Sequence, residues 1–569
     1  SRGLGDVYKR QKSYYSKNYK LMKNKEILNL FEKALNLQKQ GDFIQASNIY
    51  KDLIKNKFQN QEVFLNYAAV CQYMNKPNEA ILLLKEAIKI NPNNSIPFFK
   101  MGFILNNNGR FYESLPFAKK AINLNPSLWQ GYHNLIKILI NLNRPKEAKL
   151  EAINAKRLFS NNHLFDCLLG DIHSSTGDFN EARTYYKNAI SISPNDEVIL
   201  YTYANFSVGI GNKKESVNFF NKVLKINPLH SLSFYSLSTI IDTEKDEEIK
   251  NKIKKLNLLD FKSNYDRYTI LFSKSHISHK LKDFEKSSKF LKEANDLKLK
   301  VRPSNIKYLI NFSESIKNET SNDRSFDFSK FKNLRDIFIV GLPRSGSTLV
   351  ESIIGINKDV FNLGESSIFH NTFIESKKSN FHQMDETYSK YAKYFSSKKF
   401  TTNKTLSNYM HIPYLLTKLE HSKVIYTFRN PLDNLLSMYR AKFNGSGNEY
   451  SSSLIDSANY YMYQFNLMSF YSKKYKENIY FLSYDKLVNY PETEIKKLIT
   501  WLGFNWDDSY LYPYKSKQGF FTASNVQVRS PINNKSVGGW EKYSKIMREP
   551  LNLFTQNNFS LDSFENLID

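Results

Sequence analysis

The sequence predicts two structural classes in one chain: an all-helical solenoid, then an α/β domain built on a parallel sheet. Three observations predict it. A 34-residue period runs through the N-terminal half. Short apolar runs separated by helical patterns fill the C-terminal half. Two anion-binding turn motifs there each follow directly on such a run.

The period is marked by Gly41, Asn75, Gly109, Asn143, Gly177 and Gly211, each 34 residues after the last. Five positions after each stands a small residue: Ala46, Ala80, Ser114, Ala148, Ala182 and Ser216. Pro92, Pro126, Pro194 and Pro228 fall on the same period. A turn residue in mid-period and a proline at its end describe two antiparallel helices per unit, and the small residue lets them approach. This period resembles the tetratricopeptide repeat, over residues 26–302, with Lys282-Asp283-Phe284-Glu285 as a degenerate last turn. The resemblance implies a groove that binds a peptide or partner protein, or else an arm that positions or dimerises the second domain. Cys71 and Cys167 lie in apolar helical stretches and read as core.

Ser1 to Gln11 departs in texture from the Lys/Asn/Ile-rich chain that follows, so residues 1–25 are expected to be a leader outside the fold. Residues 303–334 are polar and read as a linker. Ile337–Val340, Val424–Phe428 and Ile479–Leu482 are expected strands of a domain spanning 335–569.

With 81 Lys+Arg against 55 Asp+Glu the chain has a formal charge of +26. That fits nucleic acid, an anionic membrane or an anionic small molecule. Hydrophobic residues at 41% exclude a wholly disordered chain. Two cysteines exclude a disulfide scaffold and a cysteine metal site. No apolar run approaches the roughly 18 residues of a membrane span. No signal peptide is evident, which points to the cytoplasm.

Gly341-Leu-Pro-Arg-Ser-Gly-Ser-Thr348 opens a helix directly after a strand, where exposed N–H groups make an anion site. It has the frame of a phosphate loop, with Ser347 where a triphosphatase needs Lys, which argues against a nucleoside kinase. Arg429-Asn-Pro-Leu-Asp-Asn-Leu-Leu-Ser437 starts at another strand's end. Two anion sites at adjacent strand ends suit a ligand with two separated anionic groups.

Together, Ile339–Leu349, Val424–Pro431 and Ser437 resemble the sulfotransferase family, and most of all the bacterial tetratricopeptide-repeat sulfotransferases and the tyrosylprotein sulfotransferases. Leu363-Gly-Glu365, Tyr484-Asp-Lys-Leu487, Thr522-Ala-Ser524 and Asn534-Lys535-Ser536 through Trp540 add to the likeness in family order. The resemblance implies a P-loop-like α/β sulfotransferase domain. It further implies transfer from 3′-phosphoadenosine 5′-phosphosulfate (PAPS), without a metal, to an acceptor hydroxyl, with a protein tyrosine favoured over a saccharide or small alcohol. Arg344, Ser345, Gly346, Ser347 and Thr348 would cradle the phosphosulfate. Arg429, Ser437, Lys535 and Tyr484 would hold the 3′-phosphate, aided by Arg440 or Lys442. Arg344 and Lys404 would meet charge on the leaving oxygen, helped by Ser524, with Glu365 as base and His370 as its rival. Lys404 lies in Asn403-Lys404-Thr405-Leu406, where the family pattern is Asp-Lys-x-Pro. That departure motivates the alternative, a protein-binding scaffold whose sulfotransferase-like domain has lost turnover. No nucleic-acid-binding module is present to use the charge.

Overall fold

A computed structural model describes residues 26–56, 58, 60–320, 334–377, 379–443, 447–515 and 529–559. Residues 1–25, 321–333 and Ser524 therefore lie outside the described residues. The chain divides into two compact units, one ending at Leu168 and the other beginning at Leu169.

In the first unit, helix pairs follow the 34-residue period: Gln61–Tyr73 with Pro77–Ile90, Ser95–Asn107 with Phe111–Leu124, and Trp129–Asn141 with Pro145–Leu158. Each of the six marker residues takes a left-handed backbone, from φ 55° at Asn143 to 84° at Gly177. There it ends the first helix of a pair: Asn75 N–H bonds to Gln72 O and Lys76 N–H to Cys71 O, at 3.0 and 2.8 Å. Only Gly and Asn tolerate that conformation cheaply, which is why the ladder uses these two residues. Ala46, Ala80, Ser114 and Ala148 are fully buried at the close approach of paired helices. Cys71 and Cys167 are both buried.

The second unit continues the pattern through Phe179–Ile192, Glu197–Gly209, Lys213–Ile226 and Ser231–Ile240 to the long pair Asn264–Lys280 and Phe284–Val301. Where a linker was expected, Ile306–Glu319 is a helix. Its Ile306, Leu309, Ile310, Phe312 and Ile316 recur at helical spacing and pack on the main core; the polar stretch that suggested a linker begins only at its C-terminal half.

A five-stranded parallel sheet follows: β1 (Asp336–Gly341), β2 (Val360–Asn362), β3 (Phe400–Asn403), β4 (Ser422–Phe428) and β5 (Ile479–Ser483), ordered β2-β3-β1-β4-β5. β1 aligns with β4 with Ile339 opposite Ile425. Ile337, Ile339 and Ile425 join one core with the helices Ser347–Ile354 and Pro491–Leu502. Phe338, Val340, Val424 and Tyr426 face the other way, into a core shared with Phe272, Leu291 and Ile316 of the helical region. The last repeats and the sheet domain are thus one hydrophobic body.

β2 and β3 were not evident in the sequence because they are short and half polar. Thr401 and Thr402 are buried on β3 and spend their hydroxyls on the buried carboxylates of Asp336 and Glu351, both at 2.9 Å.

Candidate active site

The chain leaves β1 towards the β2 edge and leaves β4 towards β5, so a crevice opens at the carboxyl ends of these neighbours. Every described candidate residue except Lys535 lies on the loop or helix that follows one of the five strands.

After β1, Gly341 holds φ 146° against Thr427 O of β4, where a Cβ would overlap that carbonyl. Ser345 Oγ donates to Leu342 O and shares a hydrogen bond with Thr427 Oγ1, each 2.7 Å, so its hydroxyl braces the loop. Gly346, at φ 94°, caps the helix Ser347–Ile354 without a side-chain partner for the first N–H groups. A Cβ there would overlap the Tyr484 ring. These features leave a loop of backbone donors at a helix N-terminus, with the buried Ser347 and Thr348 in its first turn.

Arg344 turns from this loop to Ser437, its Nε 3.1 Å from Ser437 Oγ on the helix Pro431–Tyr439. Burial, then the charges of Arg429 and Arg440, lowers its pKa to about 10, a sign of crowded cations. Arg429 is 6% exposed, stacks over Tyr484 at 4.9 Å and donates to Ser536 O. Among the described residues its Nε is buried without a hydrogen-bond partner. Tyr484 also hydrogen-bonds Ser536 Oγ at 3.0 Å, while Lys535 beside it is exposed. Arg344, Arg429, Ser437 and Tyr484 are thus brought together.

At the other end, Lys404 follows β3 and is fully buried, with Nζ 2.8 Å from Oε1 of the half-exposed Glu365, which follows β2. His370 is exposed on the helix Ile368–Lys377.

Several residues missed in the sequence hold this arrangement. Glu351 accepts from Gly364 N–H (3.1 Å) and Thr402 Oγ1 (2.9 Å), which fixes the turn that presents Glu365. Burial raises its carboxyl pKa, and Lys404 opposes the shift. Asp433 accepts from the N–H groups of Gly538 and Trp540 at 2.7 and 2.9 Å and ties down the segment that carries Lys535 and Ser536. Tyr461 donates to Arg429 O at 2.6 Å, and Asp485 accepts from Asn430 N–H at 2.6 Å. Asp433 and Asp485 sit inside quoted motifs and could have been found; Glu351 and Tyr461 carry no local signal.

The helical region takes part as well. Asn295 donates to Tyr439 O (2.9 Å), His276 Nε2 bonds Arg440 O (3.2 Å), and Tyr235 OH accepts from Lys442 N–H (3.2 Å). Asn295 and His276 satisfy carbonyls at the C-terminus of the helix that bears Ser437, where no αL cap is present, and Tyr235 takes up the Lys442 N–H just beyond it. Arg440 lies 5.7 Å from the Tyr543 ring, and Lys442 is buried against tyrosines of the helical region.

Comparison with known proteins bears on this geometry. Residues 336–508 match the model of the sulfotransferase family. Residues 336–508 are a sulfotransferase-family domain. Residues 61–94, 167–196 and 268–300 match the tetratricopeptide repeat, so the chain joins such repeats to the sulfotransferase domain. An uncharacterized protein of Aquifex aeolicus is 23% identical across 91% of this chain and 72% of its own length. Human protein O-mannosyl-transferase TMTC3 is 24% identical across 43% of this chain, which spans 28% of that protein. Among solved structures, a tetratricopeptide repeat protein of Parabacteroides merdae is 14% identical, with a TM-score of 0.37 over 43% of this chain and 98% of its own. YrrB, a repeat protein described as having an unusual peptide-binding site, gives 16% and 0.26 over 33% and 96%. Among the described residues no helix is long and apolar enough to cross a membrane.

Proposed function

We propose that the sulfotransferase domain moves a sulfuryl group from PAPS to an acceptor hydroxyl, a protein tyrosine in the favoured case, and that the repeats bind the acceptor or a partner. The observation that carries this reading is the buried Arg429 Nε, which has no hydrogen-bond partner among the described residues and lies one strand away from a helix N-terminus without a side-chain cap. A buried guanidinium donor left unmade is costly, and a phosphate oxygen would satisfy it. The residues present therefore fit a donor with two separated anionic groups.

The roles follow from position. The N–H groups of residues 345–348 receive the phosphosulfate, and Arg429 with Ser437 and Tyr484 receives the 3′-phosphate. Lys535 is exposed beside Ser536 and reaches that phosphate from solvent. The acceptor oxygen forms the new O–S bond while the bond from sulfur to the phosphate oxygen breaks. Arg344 and Lys404 meet the charge left on that phosphate, and Ser524 adds a hydrogen bond. The acceptor proton passes to Glu365, whose carboxylate Lys404 orients.

Transfer of labelled sulfuryl groups to fractionated lysate tests this. The wild-type chain is expected to label an acceptor, while Glu365→Gln transfers roughly 100-fold or more slowly and still binds 3′-phosphoadenosine 5′-phosphate. Wild-type rates from Glu365→Gln would remove Glu365 as the base. Absence of transfer by the wild type would favour the scaffold reading, which the changed residues around Lys404 motivate.

A further inference from the structure

A buried side chain ties the loop after β1 to the helix after β4. Asn434 lies on the helix Pro431–Tyr439, three residues before Ser437, so the two side chains leave one face of that helix a turn apart. Asn434 is 0% exposed, and its Nδ2 donates to Pro343 O of the loop at 2.9 Å. Reversed, the amide would set its oxygen against that carbonyl, so the donor faces the loop. Among the described residues its Oδ1 is buried without a hydrogen-bond partner. A buried amide oxygen left unmade costs stability, which an apolar side chain of similar shape would avoid.

Three successive loop residues are held by the strand and helix that span 422–439. Asn434 holds the Pro343 carbonyl, Ser437 Oγ accepts from Arg344 Nε at 3.1 Å, and Thr427 Oγ1 shares a hydrogen bond with Ser345 Oγ at 2.7 Å. Of these three, the Asn434 bond alone reaches the loop's backbone. The Pro343 carbonyl and the Arg344 nitrogen form one planar peptide group, and the turn of that plane about the N–Cα bond is the φ of Arg344. Arg344 holds φ 70°, a left-handed backbone that a non-glycine residue keeps only where its surroundings fix it. A bond to Pro343 O fixes that plane.

We propose that Asn434 is a positioning residue: by holding the Pro343–Arg344 peptide group it fixes the loop 341–348 to the helix that bears Ser437, and so sets the separation of the two anion subsites. The inference rests on the donor reading above, because a fixed separation matters to a ligand that carries both anionic groups and not to one that carries a single group. Such a ligand binds tightly when both subsites already stand at its own spacing. Without the Asn434 bond the loop must be ordered anew as the second group arrives.

The test is calorimetric titration of the full chain with 3′-phosphoadenosine 5′-phosphate and with adenosine 3′-phosphate, alongside amide hydrogen exchange at residues 344–348 and 435–439. Asn434→Leu keeps the buried volume and removes both the donor and the unpartnered oxygen, so its melting temperature is expected to stay near that of wild type. Asn434→Ala serves if the Leu variant does not fold. The variant is expected to bind the bisphosphate roughly 2- to 12-fold more weakly, the contribution of one neutral hydrogen bond. Adenosine 3′-phosphate is expected to keep its wild-type affinity. Exchange is expected to quicken at 344–348 and to stay unchanged at 435–439. Equal weakening of both nucleotides, unchanged affinity for the bisphosphate, or unchanged exchange in the loop overturns the assignment. A wild type that binds the bisphosphate no more tightly than adenosine 3′-phosphate counts against the donor reading instead, and the loop exchange then decides the Asn434 tie by itself.

Discussion

Asn295→Ala tests whether the repeats belong to the catalytic machinery. Asn295 is 1% exposed and its Nδ2 lies 2.9 Å from Tyr439 O and 3.0 Å from Leu291 O of its own helix. The substitution leaves the Tyr439 carbonyl buried and without this donor, a cost of about 1–3 kcal/mol. His276 still holds the next carbonyl, so the helix end loosens rather than unravels. Ser437 lies two residues before Tyr439 and makes the 3.1 Å bond to Arg344, so the loss is felt at the donor site. If about half of it appears in binding, the dissociation constant for 3′-phosphoadenosine 5′-phosphate rises roughly 2- to 12-fold, since about 1.4 kcal/mol is tenfold. Calorimetric titration of wild type and variant measures this. A variant that melts lower yet binds the nucleotide with wild-type affinity would refute the coupling and leave Asn295 a purely structural residue.

Two further outcomes are expected. Gly346→Ala forces a side chain onto φ 94° and into the Tyr484 ring, costing on the order of 1–3 kcal/mol, so nucleotide affinity in a calorimetric titration falls far more than helix content by circular dichroism. The second concerns pH: burial and then the Arg440 charge push His276 and His279 down to about 3. The unfolded chain binds their protons below about 6.5, which the folded chain refuses. Stability is therefore full above pH 6.5 and falls as pH drops towards 3, by up to ~1.4 kcal/mol per unit for each group. Denaturant titrations at pH 7, 6 and 5 check the slope, which His279→Gln should flatten.

The legible parts of the molecule were those where one residue must do a local job. The αL ladder from Gly41 to Gly211 fixed the repeat because so few side chains fit that backbone. Gly341, Gly346, Arg429 and Pro431 marked two strand ends because a loop that presents N–H groups needs glycines and a helix start favours proline. What escaped notice depends on distant partners. β3 is polar because Thr401 and Thr402 answer Asp336 and Glu351 across the core. The amphipathic helix Ile306–Glu319 was masked by the polar tail that follows its apolar half. No local pattern announces that Asn295 and His276 would cap a helix about 140 to 165 residues further along. Of the formal charge of +26, a few cations belong to the candidate site, and among them Arg429 and Lys404 are buried while Lys535 is exposed, a distinction that only the structure reveals.

The most direct test of the donor assignment is a calorimetric comparison of 3′-phosphoadenosine 5′-phosphate with adenosine 5′-phosphate on the full chain and on Arg429→Ala. Two charge-assisted bonds from Arg429 at about 1.5–3 kcal/mol each predict that the wild type prefers the 3′-phosphorylated nucleotide by at least about 100-fold. The same arithmetic predicts that Arg429→Ala loses that preference. Equal affinity of the wild type for the two nucleotides, or a preference that survives in Arg429→Ala, would contradict the account.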